Sequence, residues 1–288
     1  MSIQWNGVMP AVFTWLKESQ SGALEIDFEA TQKQAAGILK VQGKGGSRMN
    51  GLVGSGTLGE NSYLSTKQRL SLLESLSEVA KEYNVPLISG AATETKEELA
   101  EVVEGLANVG VNTVMVMPPK TKELPSEEEM YAYYAIAEET ARGAGVTIMP
   151  YNNPDAAGYH AISTELLLKL ATLPNVTALK ISTIDVSIIE TMLLANKDLK
   201  ILAGVDTVTV HAGLAGAIGG ITGVGCIFPK ASVTMQEYVS NGQWAEANKI
   251  SQALNSLSYL DAQPLLMEYL KLAMGIHHND IAGGLRTF

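Results

Sequence analysis

Eight short apolar runs, separated by amphipathic stretches, extend along most of this 288-residue chain. Runs of this length are typical of buried strands, and the intervening stretches have the periodicity of helices that pack on a sheet. Strand, helix, strand repeated in this way predicts parallel pairing with right-handed crossovers, and eight units close a (β/α)8 TIM barrel. The fold class is therefore predicted to be α/β. The predicted strands are Gly7–Thr14, Gly51–Ser55, Pro86–Ala91, Thr113–Met117, Thr147–Asn152, Val176–Ser182, Leu199–Gly204 and Gly220–Cys226.

Helix signals occupy the stretches between these strands. Ser126 and Glu129 have the spacing of a capping box at the start of one of them. An open, doubly wound sheet remains an alternative, because the pattern does not distinguish a closed barrel from an open edge. The predicted helices are Thr66–Tyr83, Thr95–Val109, Ser126–Arg142 and Ser163–Ala171.

The strand signals stop after Cys226. Two further helices are predicted at Thr234–Leu257 and Pro264–Met274, and no linker rich in Pro, Gly or Ser precedes them. We therefore expect a barrel over residues 1–226 that carries the active site, and a C-terminal helical extension over residues 227–288 that packs on it.

The composition narrows the class of protein. A content of 46% apolar and 17% charged residues is typical of a globular chain. The net charge of −10 and the lack of a basic patch argue against a nucleic-acid partner. Cys226 is the only cysteine, and the start of the chain lacks a signal-peptide pattern. The least polar stretch, Ala212–Phe228, is too rich in glycine for a membrane span. We expect a cytoplasmic protein that does not bind membranes.

Lys180 lies inside an apolar predicted strand, between Leu179 and Ile181. A buried ammonium tends to lose its proton, and a neutral amine is a nucleophile that forms a Schiff base with a carbonyl. A lysine that reaches solvent or pairs with a carboxylate is an equally good interpretation of this feature alone. Active sites of such barrels lie at the carboxyl ends of the strands. The predicted strand ends carry Thr57, Thr93, Tyr151, Asn152, Lys180, Ser182 and Asp206.

Gly54, Gly56 and Gly59 match the G-x-G-x-x-G spacing of dinucleotide-binding turns. Two features argue against a dinucleotide site. The match follows the second strand rather than the first, and Glu94, the nearest acid beyond the next strand, lies too far along the chain to bind the ribose. A glycine-rich turn still exposes backbone N–H groups that can bind an anion, and a carboxylate suits such a turn as well as a phosphate does.

Three motifs in order resemble the dihydrodipicolinate synthase and N-acetylneuraminate lyase family of class I, pyruvate-type aldolases. They are Gly56-Thr57-Leu58-Gly59-Glu60 after the second strand, Tyr151-Asn152-Asn153-Pro154 after the fifth, and Lys180 in the sixth. The resemblance covers the chain from Gly7 to about Arg286. It implies a homo-oligomer, a dimer or a tetramer, that acts on pyruvate or another small 2-keto acid.

The resemblance also implies the roles of individual residues. Lys180 would be the nucleophile, Tyr151 the general acid and base, and Thr57 the hydroxyl that relays protons to the tyrosine. The backbone N–H groups of Thr57 and Leu58 would bind the substrate carboxylate, and the carbonyl of Ile221 would face the site. The covalent imine on Lys180 needs no cofactor. No metal is expected either, because the histidines lack ligand spacing with carboxylates: His160, His211, His277 and His278.

The sequence departs from the synthases of this family at three places. Leu58 replaces a second threonine, Pro119-Lys120-Thr121 lacks a tyrosine, and Asp155-Ala156-Ala157-Gly158 lacks an arginine that holds the aldehyde substrate's carboxylate. These changes argue against the condensation of pyruvate with aspartate semialdehyde. Polar residues near the same rim suit neutral hydroxyl groups of a substrate: Asn153, Asp155, Ser182 and Asp206. Of these, Ser182 is predicted to bind the substrate.

The leading hypothesis is a Schiff-base lyase or aldolase that cleaves or dehydrates a 2-keto acid, such as a 2-keto-3-deoxy sugar acid. The first alternative is 4-hydroxy-tetrahydrodipicolinate synthase itself. Two alternatives of other classes are a non-catalytic family member that binds a keto acid, and a nucleotide-binding oxidoreductase built on Gly54–Gly59.

Overall fold

Eight parallel strands form one sheet in the computed structural model, which describes residues 3–19, 24–59, 64–154 and 160–258. Each strand pairs with the next along the chain from the second strand to the eighth. The strands are β1 (Gly7–Pro10), β2 (Leu52–Gly54), β3 (Leu87–Ala91), β4 (Thr113–Val116), β5 (Thr147–Asn152), β6 (Leu179–Ile181), β7 (Ile201–Ala203) and β8 (Gly219–Thr222).

The sheet closes on itself through both edges of β1. On one side β8 pairs with β1, with Ile221 opposite Met9. On the other side Ala11 forms a parallel bridge with Val53, and the Val12 N–H donates a hydrogen bond to the Val53 carbonyl at 3.0 Å. The predicted (β/α)8 barrel is therefore confirmed, and the open-sheet alternative is wrong.

Helices follow the strands and cover the outside of the barrel. Ser126 accepts a hydrogen bond from the Glu129 N–H while the Glu129 side chain accepts from Ser126, so the predicted capping box is present. The helices are α1 (Phe28–Lys40), α2 (Thr66–Glu82), α3 (Lys96–Asn108), α4 (Glu127–Gly143), α5 (Thr164–Leu170), α6 (Ser187–Ala195), α7 (Thr209–Leu214), α8 (Pro229–Ser240) and α9 (Trp244–Ser258).

Two apolar layers hold the barrel together. The larger layer lies between the strands and the surrounding helices. The smaller one fills the barrel interior and is rich in methionine, with Met9, Met115, Met117 and Met149. Tyr151 belongs to this interior cluster, so its ring is anchored in the barrel rather than in a surface loop.

Most strands are shorter than predicted, and the first and eighth strands differ most at their carboxyl ends. The eighth strand ends at Thr222 rather than at Cys226, and a 3-10 turn over Val224–Cys226 follows it. The reason is a change of hydrogen-bond acceptor, because the N–H groups of Gly223 and Val224 donate to the Asp206 carboxylate instead of to a strand. The first strand is also shorter than predicted and ends at Pro10, before the isolated bridge at Ala11.

Sequence patterns missed or merged several elements. A hairpin of Leu16–Glu18 with Leu24–Ile26 and the helix α1 lie between the first two barrel strands. The single helix predicted over Thr234–Leu257 is two helices, α8 and α9, separated by a turn in which Gly242 has a φ of +70°. The predicted helix Pro264–Met274 lies outside the described residues.

The two last described helices pack on the barrel. α8 contacts β1, and α9 lies against α8 and α7. A separate apolar cluster joins them, with Met235 and Val239 from α8 and Ala247 and Leu254 from α9. The division into two units at residue 226 stays a prediction. Over the described ranges no helix combines the length and apolar character that a membrane crossing requires.

Glu237 on α8 ties this helix to the end of the barrel where the strands begin. Its carboxylate accepts hydrogen bonds from the N–H groups of Gly45 and Ser47, each at 2.7 Å, in the loop before β2. Gly43 is required here, because a Cβ atom at this residue would lie 2.7 Å from the Glu237 carboxylate. Burial raises the pKa of Glu237, but the hydrogen bonds outweigh burial and the net pKa is lowered.

Candidate active site

Lys180 and Tyr151 are paired across the two neighbouring strands β5 and β6. The Lys180 Nζ atom lies 3.9 Å from the centre of the Tyr151 ring. Both side chains are buried, with exposed fractions of 7% and 5%. The alternative in which Lys180 reaches solvent is therefore wrong, and an amine and a phenol share one water-poor site at the carboxyl ends of the strands.

The Tyr151 phenol oxygen accepts hydrogen bonds from Asn153 and from Ser182. The Asn153 amide donates at 2.8 Å, and the Ser182 hydroxyl donates at 3.3 Å. Burial raises the pKa of Tyr151, but the positive charge of Lys180 and hydrogen bonding with Ser182, Lys180 and Asn153 together lower the net pKa below its ordinary value. The phenol is therefore easier to ionise than an isolated tyrosine, which suits proton transfer near neutral pH.

Asp206 lies beyond β7 and connects the last two strands. Its carboxylate accepts hydrogen bonds from the Thr222 hydroxyl and from the N–H groups of Gly223 (3.0 Å) and Val224 (3.1 Å). Burial raises its pKa, and the hydrogen bonds and the charge of Lys180 only partly oppose this effect. The hydrogen-bond partners of the carboxylate are the last residue of β8 and the two residues that follow it. The predicted place of Asp206 at the substrate rim stays a prediction.

Gly204 leaves room for Lys180 and Ser182, a role that the sequence did not reveal. A Cβ atom at this residue would lie 1.8 Å from the Ser182 Oγ atom and 2.8 Å from the Lys180 Cε atom. Neither distance is possible for non-bonded atoms, so any larger residue would displace Ser182 and Lys180. The only sequence signal is a glycine directly after a buried strand.

The turn after β2 brings Thr57 and Leu58 to the same end of the barrel. Two interactions hold this turn: the Thr14 hydroxyl donates to the Gly59 carbonyl at 2.7 Å, and Arg69 Nε donates to the Ser55 hydroxyl at 3.3 Å. Thr57 is exposed. In the part of the chain that the structure describes, no hydrogen bond joins its hydroxyl to Tyr151, so the relay between them stays a prediction.

Leu58 makes an apolar contact where the resemblance expects a second threonine. A Cβ atom at Gly223 would lie 2.5 Å from the Leu58 Cδ1 atom, so the leucine packs directly on the chain that follows β8. Ile221 lies in β8 and belongs to the barrel interior with Tyr151. The predicted role of its carbonyl in substrate binding stays a prediction.

The glycine pattern after β2 has a packing explanation. A Cβ atom at Gly54 would lie 2.7 Å from Leu76 and 2.9 Å from Leu73, both on α2. At Gly59 a Cβ atom would lie 3.1 Å from the backbone of Ser55. These glycines allow a helix to approach the barrel and a tight turn to form, so the pattern does not require a dinucleotide.

The histidines within the described ranges lie apart from Lys180. His160 is next to Thr121, with its Nε2 atom 2.9 Å from the Thr121 carbonyl oxygen, and His211 belongs to α7. His277 and His278 lie outside the described residues. The described part of the chain holds no group of three or more His, Cys, Asp or Glu side chains arranged for a metal ion.

A buried lysine beside an ionisable phenol, at the carboxyl ends of barrel strands, defines the site of a class I aldolase or lyase. The model of the dihydrodipicolinate synthetase family matches residues 5–281 of this chain. The chain therefore belongs to that family.

Relatives agree with this assignment. The 4-hydroxy-tetrahydrodipicolinate synthase of Rickettsia bellii is 25% identical over 281 residues, which cover 96% of this chain and 90% of that protein. The enzyme of the same name from Bacillus velezensis is 30% identical over 207 residues, which cover 70% of this chain and 68% of that protein.

Solved structures support the fold. The sialic acid aldolase of Ruminococcus gnavus superposes with a TM-score of 0.80 at 26% identity, over 93% of this chain and 85% of that chain. The dihydrodipicolinate synthase of Aquifex aeolicus superposes with a TM-score of 0.82 over 95% of this chain and 89% of that chain. At 21% identity the second similarity concerns the fold alone.

Proposed function

We propose that Lys180 forms a Schiff base with the keto carbon of a 2-keto acid, and that the enzyme then cleaves or dehydrates that acid. The amine adds to the carbonyl and water leaves, and the imine nitrogen takes up a proton from solvent to give the protonated imine. The imine withdraws electrons, so the bond between the third and fourth carbons can break, releasing an aldehyde and leaving the enamine of pyruvate. The position of the Lys180 amine beside the Tyr151 ring carries this proposal.

Tyr151 moves the protons of this reaction. Its phenolate takes the proton of the substrate hydroxyl as the carbon–carbon bond breaks. It then returns a proton to the enamine carbon, and hydrolysis of the resulting imine releases pyruvate and restores the Lys180 amine. The lowered pKa of Tyr151 supports this role, because the ionised form is more accessible at neutral pH.

The turn after β2 is the proposed carboxylate site. The backbone N–H groups of Thr57 and Leu58 would hold the carboxylate of the keto acid, and the Thr57 hydroxyl would exchange protons with Tyr151 once substrate is bound. Fixed N–H donors suit this task because they do not reorganise during the reaction. The carbonyl of Ile221 would face the same substrate from β8.

The substrate is proposed to carry hydroxyl groups beyond its pyruvate unit, as a 2-keto-3-deoxy sugar acid does. Ser182 and Asn153 are polar groups beside Tyr151 that suit neutral hydroxyls. The stretch Pro119–Thr121 lacks a tyrosine, and residues 155–158 lack an arginine. A site without a partner for a second carboxylate discriminates against aspartate semialdehyde. The synthase names of the relatives nevertheless keep that condensation as the alternative.

We also propose an assembly and a compartment for this chain. A dimer or tetramer rests on the resemblance, and sedimentation at micromolar protein concentration tests it. A cytoplasmic location rests on the single cysteine, Cys226, whose thiol is buried and donates to the Ala11 carbonyl at 3.0 Å.

Borohydride reduction in the presence of pyruvate tests the central step. One reduced pyruvate adduct per chain, located on Lys180 by peptide mass spectrometry, is the expected result. Lys180→Arg keeps the charge without the nucleophile and should fold without forming the adduct. Lys169→Arg is the matched control, because Lys169 lies on α5, 4.0 Å from the ring of Tyr131.

Folded protein without an adduct, or an adduct on another lysine, would rule the Schiff-base proposal out. The substrate class is tested by comparing cleavage of a panel of 2-keto-3-deoxy acids with condensation of pyruvate and aspartate semialdehyde. Condensation with kcat/KM near about 10⁴ M⁻¹s⁻¹, the lower end for enzymes on their own substrates, would favour the synthase alternative. An adduct without turnover of any of these compounds would favour a non-catalytic keto-acid-binding protein.

A further inference from the structure

Two adjacent asparagines follow Tyr151, and they face different parts of the structure. Asn152 is buried with an exposed fraction of 2%, and it braces the chain after β5. The side-chain NH2 group of Asn152 donates to the Ile162 backbone carbonyl at 3.3 Å. The side-chain oxygen of Asn152 accepts from the Ile162 backbone N–H at 3.0 Å. Asn153 is half-buried, and its amide donates to the Tyr151 phenol oxygen at 2.8 Å.

We infer that Asn153 is a positioning residue for proton transfer, whose amide holds the Tyr151 phenol oxygen as a proton acceptor. The inference rests on the proposed function and adds a residue to it. Asn153 acts through Tyr151, since its amide contacts the phenol oxygen rather than a reacting carbon.

Local geometry favours a fixed Asn153 amide. Pro154 follows it directly, and a residue before proline is restricted to extended backbone conformations. The bracing of Asn152 against Ile162 fixes the same stretch from its other side. An amide on a restrained backbone loses little conformational entropy when it forms a hydrogen bond, so the donor is preorganised.

A second donor completes the arrangement on the neighbouring strand. The Ser182 hydroxyl donates to the phenol oxygen at 3.3 Å. The Ser182 backbone N–H donates to the backbone carbonyl of Asn152 at 2.8 Å. Two donors at one phenol oxygen favour the ionised over the neutral form, because a phenolate accepts hydrogen bonds more strongly. Asn153 makes the shorter of these two bonds.

The charged groups around this phenol are few. Within the described residues Lys180 on β6 is the cation at the Tyr151 ring, and Asp206 beyond β7 interacts electrostatically with Lys180. The Tyr151 side chain belongs to the apolar cluster of the barrel interior, which also contains Met117 and Ile221. Variants at residue 153 leave all these groups unchanged, so a change in pH dependence reports on the amide.

Exchange of the pyruvate methyl protons with deuterated water tests the inference without the unidentified aldehyde. The imine on Lys180 makes these protons acidic, Tyr151 removes one and a deuteron replaces it, and proton NMR follows the loss of the methyl signal. Borohydride reduction of the same samples reports the imine separately. The profiles are recorded between about pH 5 and 9 for the wild type, Asn153→Leu, Asn153→Asp, Ser182→Ala and the control Asn108→Leu, whose residue is exposed on α3.

We expect Asn153→Leu to lower the exchange rate at neutral pH by about 10- to 100-fold, the effect of one hydrogen bond to a charged group. The adduct on Lys180 should remain, and the rate should recover at higher pH, where the phenol ionises without help. Asn153→Asp should lower the rate at least as much, because a carboxylate repels the phenolate. Ser182→Ala should also lower the rate, because it removes the other donor, and Asn108→Leu should leave the rate unchanged.

Three results would overturn the inference. The first is an unchanged profile in Asn153→Leu with full adduct formation, and the second is a loss of rate by the same factor at every pH, which indicates a purely structural role. The third is wild-type exchange in Asn153→Asp. Missing adduct in folded wild-type protein would instead refute the proposed function, so the two failures are distinguishable.

Discussion

Two carboxylates at opposite ends of the barrel have the same kind of partners and opposite electrostatic behaviour. Asp206, where the strands end, and Glu237, where they begin, each accept two hydrogen bonds from backbone N–H groups of a loop. The pKa of Asp206 is nevertheless raised, because burial outweighs its hydrogen bonds, whereas the pKa of Glu237 is lowered. At Asp206 the loss of hydration outweighs the hydrogen bonds, whereas at Glu237 the hydrogen bonds outweigh it.

The two ends of the barrel have different tasks. At the end where the strands begin, Glu237 lies in a favourable environment and connects α8 to the loop before β2. At the other end, Lys180 and Tyr151 are buried side by side, and Asp206 interacts with Lys180. An ammonium-type side chain and a phenol held away from water favour reactivity over stability. Substitutions at the catalytic end should therefore reduce activity more than stability, and substitutions at the opposite end should do the reverse.

The largest expected effect belongs to Tyr151→Phe. Loss of a positioned proton-transfer group lowers kcat by about 10²–10⁴-fold, and the thermal midpoint should change little because the ring remains. Tyr131→Phe, on α4, is the control for removing a phenol hydroxyl from the outer layer. Steady-state kinetics on the true substrate measure the effect, and a drop of less than about tenfold would remove Tyr151 from the mechanism.

Gly204→Ala should have the next largest effect on activity. The added methyl group would overlap Ser182 Oγ and Lys180 Cε, and displacing a reactive group by about 1 Å lowers the rate by about 10²-fold. Gly37→Ala on α1 is the matched control, since nothing lies within 4 Å of the added atom there. Borohydride trapping and kinetics measure the change, and wild-type adduct formation in Gly204→Ala would show that the site adapts.

The fold was predictable from sequence where apolar runs are long and regular. Strand β3 is five residues long and buried throughout, whereas the missed hairpin has strands of three residues that are partly exposed. Short exposed strands produce no alternation that a pattern could detect. The overextended eighth strand has a different cause, because the Asp206 carboxylate that ends its ladder belongs to the preceding loop.

The site was predictable where it follows from strand ends and from the family resemblance. Lys180 and Tyr151 lie on adjacent strands, so their proximity follows from the barrel itself. The hydrogen bond of Asn153 and the clearance at Gly204 depend on side-chain directions, and spacing along the chain does not give them. Thr57 is a different case, because its relay to Tyr151 is implied only by the resemblance and stays a prediction.

The smallest expected effect is a loss of stability at the end of the barrel where the strands begin. Glu237→Gln keeps the shape of the side chain but replaces one carboxylate oxygen with an NH2 group. One backbone N–H of the loop before β2 then faces a donor, and the negative charge that strengthened both hydrogen bonds is lost. The variant should lose about 1–3 kcal/mol of unfolding free energy at neutral pH and keep its activity. Glu104→Gln, an exposed acid on α3, is the control.

The pH dependence of this loss has a defined sign. A carboxylate with a lowered pKa in the folded state contributes stability above the unfolded pKa of about 4.3 and loses it as the pH falls through the folded value. The gap in unfolding free energy between wild type and Glu237→Gln should therefore be constant from neutral pH down to about pH 5 and close below about pH 4. Urea titrations across this range measure it. A gap that widens in acid would mean that the Glu237 pKa is raised, as that of Asp206 is, and the contrast between the two ends would fail.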